Sequence, residues 1–142
     1  MDALGYEDDP IVNDVWKVSI GLSGGTGNMA IGTCGAMAGA AAAISYSFGF
    51  TKKDLDLAKM IEVNNVVAEV GKNLQDKYHH ILCQEVQFHH WGKAYRFTNP
   101  QALQECQEAT GFLECREVTG DLARWTVEKI LKYNPQFYKR KE

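Results

Sequence analysis

Four cysteines, Cys34, Cys83, Cys106 and Cys115, are the side chains in this sequence best suited to redox or metal chemistry. Their thiolates are the soft ligands that both zinc and iron–sulfur clusters select. Four of them close a tetrahedral zinc site, a two-iron cluster or a four-iron cluster, and ligand type alone does not separate these. No Cys-x-x-Cys pair occurs, so any shared site is one that the tertiary fold assembles. A chain of 142 residues buries enough surface to fold without disulfides, which leaves the thiols free for chemistry. The competing reading is that some of them, Cys106 and Cys115 above all, are small buried apolar side chains.

The other reactive residues offer less. The four histidines form two adjacent pairs, His79-His80 and His89-His90. Neighbours on a helix or strand point to different sides, so each pair conveniently gives one ligand to a given metal. Cys83 with His79 or His80 has one-turn spacing for an activated nucleophile, without an oxyanion-hole signature or a third, orienting group. Glu7, Asp8 and Asp9 read as solvated charge. Gly25-Thr-Gly27-Asn-Met-Ala30 fits the dinucleotide fingerprint G-x-G-x-x-G/A, but the next acidic residue is Asp54, inside a helical pattern. Covalent haem attachment would need C-x-x-C-H, which is absent.

Composition narrows the class. With 15 basic against 18 acidic residues the net charge is −3, which gives no basic field for a phosphate backbone and argues against nucleic acid as a partner. The N-terminal Met-Asp-Ala-Leu-Gly-Tyr-Glu-Asp-Asp is acidic where an export signal is basic, which points to a cytoplasmic protein whose thiols stay reduced or hold metal. No charge occurs over residues 18–51, but glycine and small residues dominate there, so a buried helix is expected rather than a membrane span.

The elements that position these residues read as helices throughout: an all-α, compact bundle of four to five helices, forming one domain over residues 1–142 with mobile tails at 1–9 and 134–142. Asp9-Pro10 is a cap followed by an N1 proline, with Ile11, Val12, Val15, Trp16 and Ser19 at helical spacing. A glycine-rich loop leads to a small-residue central helix over 34–48, with Thr33 as its cap and Gly49 as its stop. Thr51 and Asp54 resemble a capping box opening a long helix on which Leu55, Ala58, Ile61, Val66, Val70 and Leu74 share a face, ending near His79. Residues 81–98 lose their period and read as a packed irregular segment. Asn99-Pro100 opens a short helix to about Ala109, and a last helix from about Glu114 to Tyr133 turns Val118, Leu122, Trp125 and Ile130 inward. Pro135 stops it, and Lys139-Arg140-Lys141 reads as a frayed tail.

Around Cys34-Gly-Ala-Met-Ala-Gly39 the chain resembles a family of small redox-active proteins whose label spells out a cysteine pattern with a C-G-A-x-x-G core, related to the C-terminal module of split-Soret cytochrome c. The likeness runs from about residue 10 to 132. It takes in Gly24-Gly25-Thr26-Gly27, the small-residue helix, Ile81-Leu-Cys83-Gln-Glu85 and Cys115. Cys34, Cys83 and Cys115 carry over. The family's first cysteine, ahead of the glycine loop, has no counterpart here, so Cys106 enters the site by count alone.

The resemblance implies redox chemistry and, from the split-Soret relatives, an iron–sulfur cluster. The expectation is therefore an iron–sulfur electron carrier or redox subunit rather than a stand-alone enzyme, with Cys34, Cys83, Cys106 and Cys115 as ligands and zinc as the lesser possibility. The alternatives are a metal-free thiol–disulfide protein or sensor and a structural helical interaction domain. Gly35 and Gly39 share a helix face too poor in bulk to build a core alone, which points to a closely approaching helix, often from an identical subunit, and so to a homodimer. A redox protein or haem-bearing module completes the expected partners.

Overall fold

The computed structural model describes residues 1–54 and 56–138. Six α-helices follow one another: α1 (Pro10–Ser19), α2 (Gly35–Phe48), α3 (Leu57–Tyr78), α4 (Cys83–Trp91), α5 (Pro100–Thr110) and α6 (Leu113–Tyr133). Among the described residues there is no strand, only an isolated antiparallel bridge between Thr33 and Leu82. The all-α reading holds, with one helix more than expected. No described helix is long and apolar enough to cross a membrane. Leu55 and the Lys139-Arg140-Lys141 run, both given a role above, lie outside the described residues.

The centre is a three-helix packing of α2, α3 and α6. Each presents large or small apolar groups at helical spacing: Met37, Ala40 and Ile44 from α2, Val66, Val70, Leu74 and Tyr78 from α3, and Val118, Leu122, Trp125 and Ile130 from α6. Ile44, Val70 and Leu74 are fully buried, each contributing about 1.5–3 kcal/mol by leaving water. α2 comes close to α3 where Gly71 meets the Met37 methyl at 3.5 Å from where a Cβ would stand. Tyr78 donates to Asp121 at 2.6 Å, tying the end of α3 to α6.

Four local expectations are corrected. α4 is a regular helix where an irregular segment was expected; its mixed aromatic and histidine composition hides the period, although Gly92 in the left-handed region at φ 66° is an ordinary helix stop. α3 begins six residues after Thr51: the Thr51 hydroxyl donates to Asp54 at 2.6 Å and closes only a turn, whereas Asp56 caps the helix by accepting from the Lys59 amide at 2.8 Å. The cap residue of α2 is Cys34 rather than Thr33, because Thr33 is taken up in the bridge. The tails are packed as far as Tyr138: Leu4 is buried, and the Tyr6 ring stacks on Phe137 at 4.5 Å while its hydroxyl donates to the Phe137 carbonyl at 2.9 Å.

α1 departs in another way. Asp9 caps it as read, accepting from the amides of Ile11 and Val12 at 3.0 and 3.2 Å. It nevertheless buries no residue fully; Ile11, Trp16 and Val18 are 59–79% exposed. The two small residues of α2 also separate. A Cβ on Gly35 would stand 2.9 Å from the Ser23 Cα and 3.1 Å from the Leu22 carbonyl, a close approach of the preceding loop, while nothing lies within 4 Å of a Cβ on Gly39.

These surroundings predict opposite signs for one substitution. Gly39→Ala raises stability by about 0.5–1 kcal/mol through helix propensity. Gly35→Ala lowers it by about 1–3 kcal/mol because backbone cannot move aside cheaply. Urea denaturation of the two variants checks this, and equal shifts would contradict the packing.

Candidate functional site

The bridge sets two cysteines side by side. The Cys34 amide donates to the Ile81 carbonyl and the Cys83 amide to the Gly32 carbonyl, both at 2.9 Å. Cys34 is the cap residue of α2, Cys83 the first residue of α4, and Cys115 stands in the first turn of α6. Three cysteines thus sit at three helix N-termini, where unpaired amides and the helix dipole favour negative charge.

The glycine-rich loop is shaped to admit Cys83. It is a backbone spiral in which Ala30 N–H donates to the Gly24 carbonyl at 2.9 Å and Gly32 N–H to the Gly25 carbonyl at 3.0 Å. Gly25 has φ 72°, and a Cβ there would lie 2.6 Å from the Cβ of Cys83, so no other residue fits. Ahead of the spiral stands a single 3₁₀ turn, Ile20–Leu22, rather than the strand that a dinucleotide fingerprint requires.

Cys34, Cys83 and Cys115 line one open cavity of about 590 Å³, together with Trp16 of α1, Gly24 of the loop, Phe97 and Val118. Cys106 is not among its lining residues. It is fully buried on α5 with its sulfur 3.6 Å from the Thr110 hydroxyl, which in turn donates to the Cys106 carbonyl at 2.7 Å. All four cysteines are free thiols. Among the described residues, no three His, Cys, Asp or Glu side chains are gathered closely enough to hold a single metal ion.

Burial opposes ionisation of Cys83, Cys106 and Cys115. It pushes Cys83 up, with a hydrogen bond from Gln87 pulling the other way and Cys34 adding to the rise. It likewise pushes Cys106 up, against the Thr110 hydrogen bond. Cys115 is raised from the ordinary 9.0 to about 12, by burial first and then by the charge of Cys83, Cys34, Cys106 and Glu114. That ordering makes Cys115 the electrostatic neighbour of all the others.

Gln87 is the residue that the sequence did not single out. It is 1% exposed, its amide nitrogen lies 3.3 Å from the Cys83 sulfur, and its carbonyl oxygen accepts from the Tyr95 amide at 2.6 Å. Its one-turn spacing after Cys83 was visible, but only with α4 recognised as a helix.

The histidines gather elsewhere, around the far end of α4. His79 closes α3 at φ 65°. Its ring stands 4.9 Å from that of His89, and His89 stands 5.3 Å from His90. His80 Nδ1 is 3.5 Å from Glu85. Burial and His89 hold His90 below its ordinary value. None of the four lines the cysteine cavity, and Cys83 meets Gln87 rather than an imidazole.

A model of the family described as "Putative redox-active protein (C_GCAxxG_C_C)" matches residues 1–129. The chain belongs to this family. No curated protein and no solved structure matches it. The label of the C_GCAxxG_C_C family spells its core glycine–cysteine–alanine, not the C-G-A order expected above: Cys34-Gly35-Ala36 has the first two residues transposed, and the cysteine that the label carries ahead of its core has no counterpart before Cys34. Trp16 and Ser19 of α1 and Ile20 of the 3₁₀ turn after it also line the cavity.

The raised thiol of Cys115 has a signed consequence. A group that stays protonated longer when folded keeps its contribution at neutral pH and loses it as pH rises from 9.0 through about 12. The reduced, metal-free protein therefore loses stability above about pH 9, and Cys115→Ala narrows the gap between urea midpoints measured at pH 7 and pH 10. An unchanged gap would contradict the assignment.

Proposed function

We propose that this redox-family protein binds an iron–sulfur cluster in the cavity through Cys34, Cys83 and Cys115 and serves as an electron carrier or redox module. The observation that carries the reading is the meeting of three thiols, each at a helix N-terminus, on one cavity. Thiolates bound to iron leave net negative charge in a poorly hydrated place, and three sets of helix-terminal amides stabilise it. A four-iron cluster takes one thiolate at each iron, so its ligands stand farther apart than those of one ion. That suits three thiols that share one cavity.

When bound, the cluster supplies one-electron transfer. The chain itself holds the sulfurs and lines the cavity with Val86, Phe97 and Val118, while Gly24 and Gly35 let the loop pack against Asn28 and against the start of α2, where a Cβ would clash. The raised thiols of Cys83 and Cys115 argue against metal-free thiol–disulfide exchange, whose nucleophile is the thiolate. A cation reverses that balance by replacing the protons.

Anaerobic reconstitution with iron and sulfide, followed by visible absorption and iron analysis, tests this. Native protein and Cys106→Ser take up iron and colour, whereas Cys34→Ser, Cys83→Ser and Cys115→Ser each lose most of both. Full loading of Cys83→Ser would overturn the ligand set, and a colourless native protein would overturn the cluster.

The exposed apolar side chains of α1 support the homodimer reading. Sedimentation of the native chain gives twice 15.9 kDa, and Val18→Glu, at a position 79% exposed, returns it to the single mass; a native monomer would refute the dimer.

A further inference from the structure

We propose that Gln87 is a positioning residue that donates a hydrogen bond to the sulfur of Cys83 and thereby raises the reduction potential of the site. The inference rests on the reading of Cys83 as a ligand, but its geometry stands apart from it. A backbone N–H can only donate. The Gln87 atom facing the Tyr95 amide at 2.6 Å is therefore the carbonyl oxygen, and the amide nitrogen is the atom left facing Cys83 at 3.3 Å. Side-chain amides elsewhere can flip to suit a new partner; this one is held at both ends and buried.

Such a donor acts on one protonation state of the sulfur. An N–H drawn to the negative thiolate stabilises it, and the same bond to a metal-bound thiolate withdraws electron density from the metal. The more reduced form carries the greater negative charge and gains most, so the potential rises. Among the described residues, it is Gln87 whose side chain hydrogen-bonds a sulfur of the cavity. Its anchor also carries the effect outward, because Tyr95 stacks edge-on with Trp91 at 5.8 Å and Trp91 donates to Glu114 at 2.7 Å, beside Cys115. The segment after α4 thus holds the orientation of a group that faces the redox site.

The test compares Gln87→Met, similar in length but without a donor, with Gln87→Asn, which keeps the amide but is too short to span from Cys83 to Tyr95. In metal-free full-length protein, iodoacetamide labelling of each cysteine is followed by peptide mass spectrometry at pH 8. Loss of the donor lowers the thiolate fraction at Cys83, and after allowance for the greater intrinsic nucleophilicity of a more basic sulfur, labelling slows by about threefold or more. Cys106, buried away from the cavity, keeps its rate. A merely structural role gives the opposite sign, since a loosened core exposes Cys83 and speeds its labelling. A Cys83 rate that is unchanged or rises in both variants overturns the proposal. In iron-loaded protein the midpoint potential of both variants moves to more negative values, and an unmoved potential overturns the tuning. Slower Cys83 labelling in a protein that never takes up iron would uphold the hydrogen bond and reject the cluster, which keeps the two failures apart.

Discussion

Two main-chain hydrogen bonds, from Cys34 to Ile81 and from Cys83 to Gly32, decide where the chemistry of this chain can happen. They join the start of α2 to the start of α4 across almost fifty residues of intervening chain, and the rest of the cavity is built around that clamp. The glycine spiral ahead of α2 curls back because Gly32 is held. It passes so close to Cys83 that Gly25 has no room for a side chain. α6 then closes the third wall by packing on α2 and α3, which carries Cys115 to the same place.

The electrostatics of the site pull in two directions, and the balance explains its chemical character. Helix N-termini favour negative charge by about 0.3–1 kcal/mol each at exposed positions. Removal from water opposes it more strongly, since Cys83 and Cys115 both end above the ordinary thiol range. The thiols of Cys83 and Cys115 are thus poor nucleophiles. Under the proposed cluster binding, iron would supply the missing positive charge and keep the ligated sulfurs ionised.

The helices with clean periods and punctuated ends were readable from residue types. Asp9-Pro10 and Asn99-Pro100 start helices where they are written, and Gly49 and Gly111 end them in the left-handed region. α4 was missed because Val86 and Gln87 are its buried residues beyond Cys83, and an apolar face one residue wide makes no pattern. Of the candidate site, Cys34, Cys83 and Cys115 were named together, and they line one cavity. That Cys106 lies outside its lining is a matter of which way α5 turns, which Gly111 permits but does not decide. Gln87 was invisible for a deeper reason: its meaning comes from Tyr95, a partner whose backbone alone takes part.

The clamp has a further consequence for how this site drifts over time. Thr33 and Leu82, the paired residues of the bridge, are both exposed, and the clamp's donors and acceptors belong to their neighbours Cys34, Ile81, Cys83 and Gly32 rather than to them. Selection acting to keep the two sulfurs at their separation therefore leaves the identities at these two positions nearly free. The part of the molecule that sets the geometry is the part whose letters are least constrained, so a comparison of side chains across distant relatives would pass over it while registering the glycine and the cysteines it holds in place.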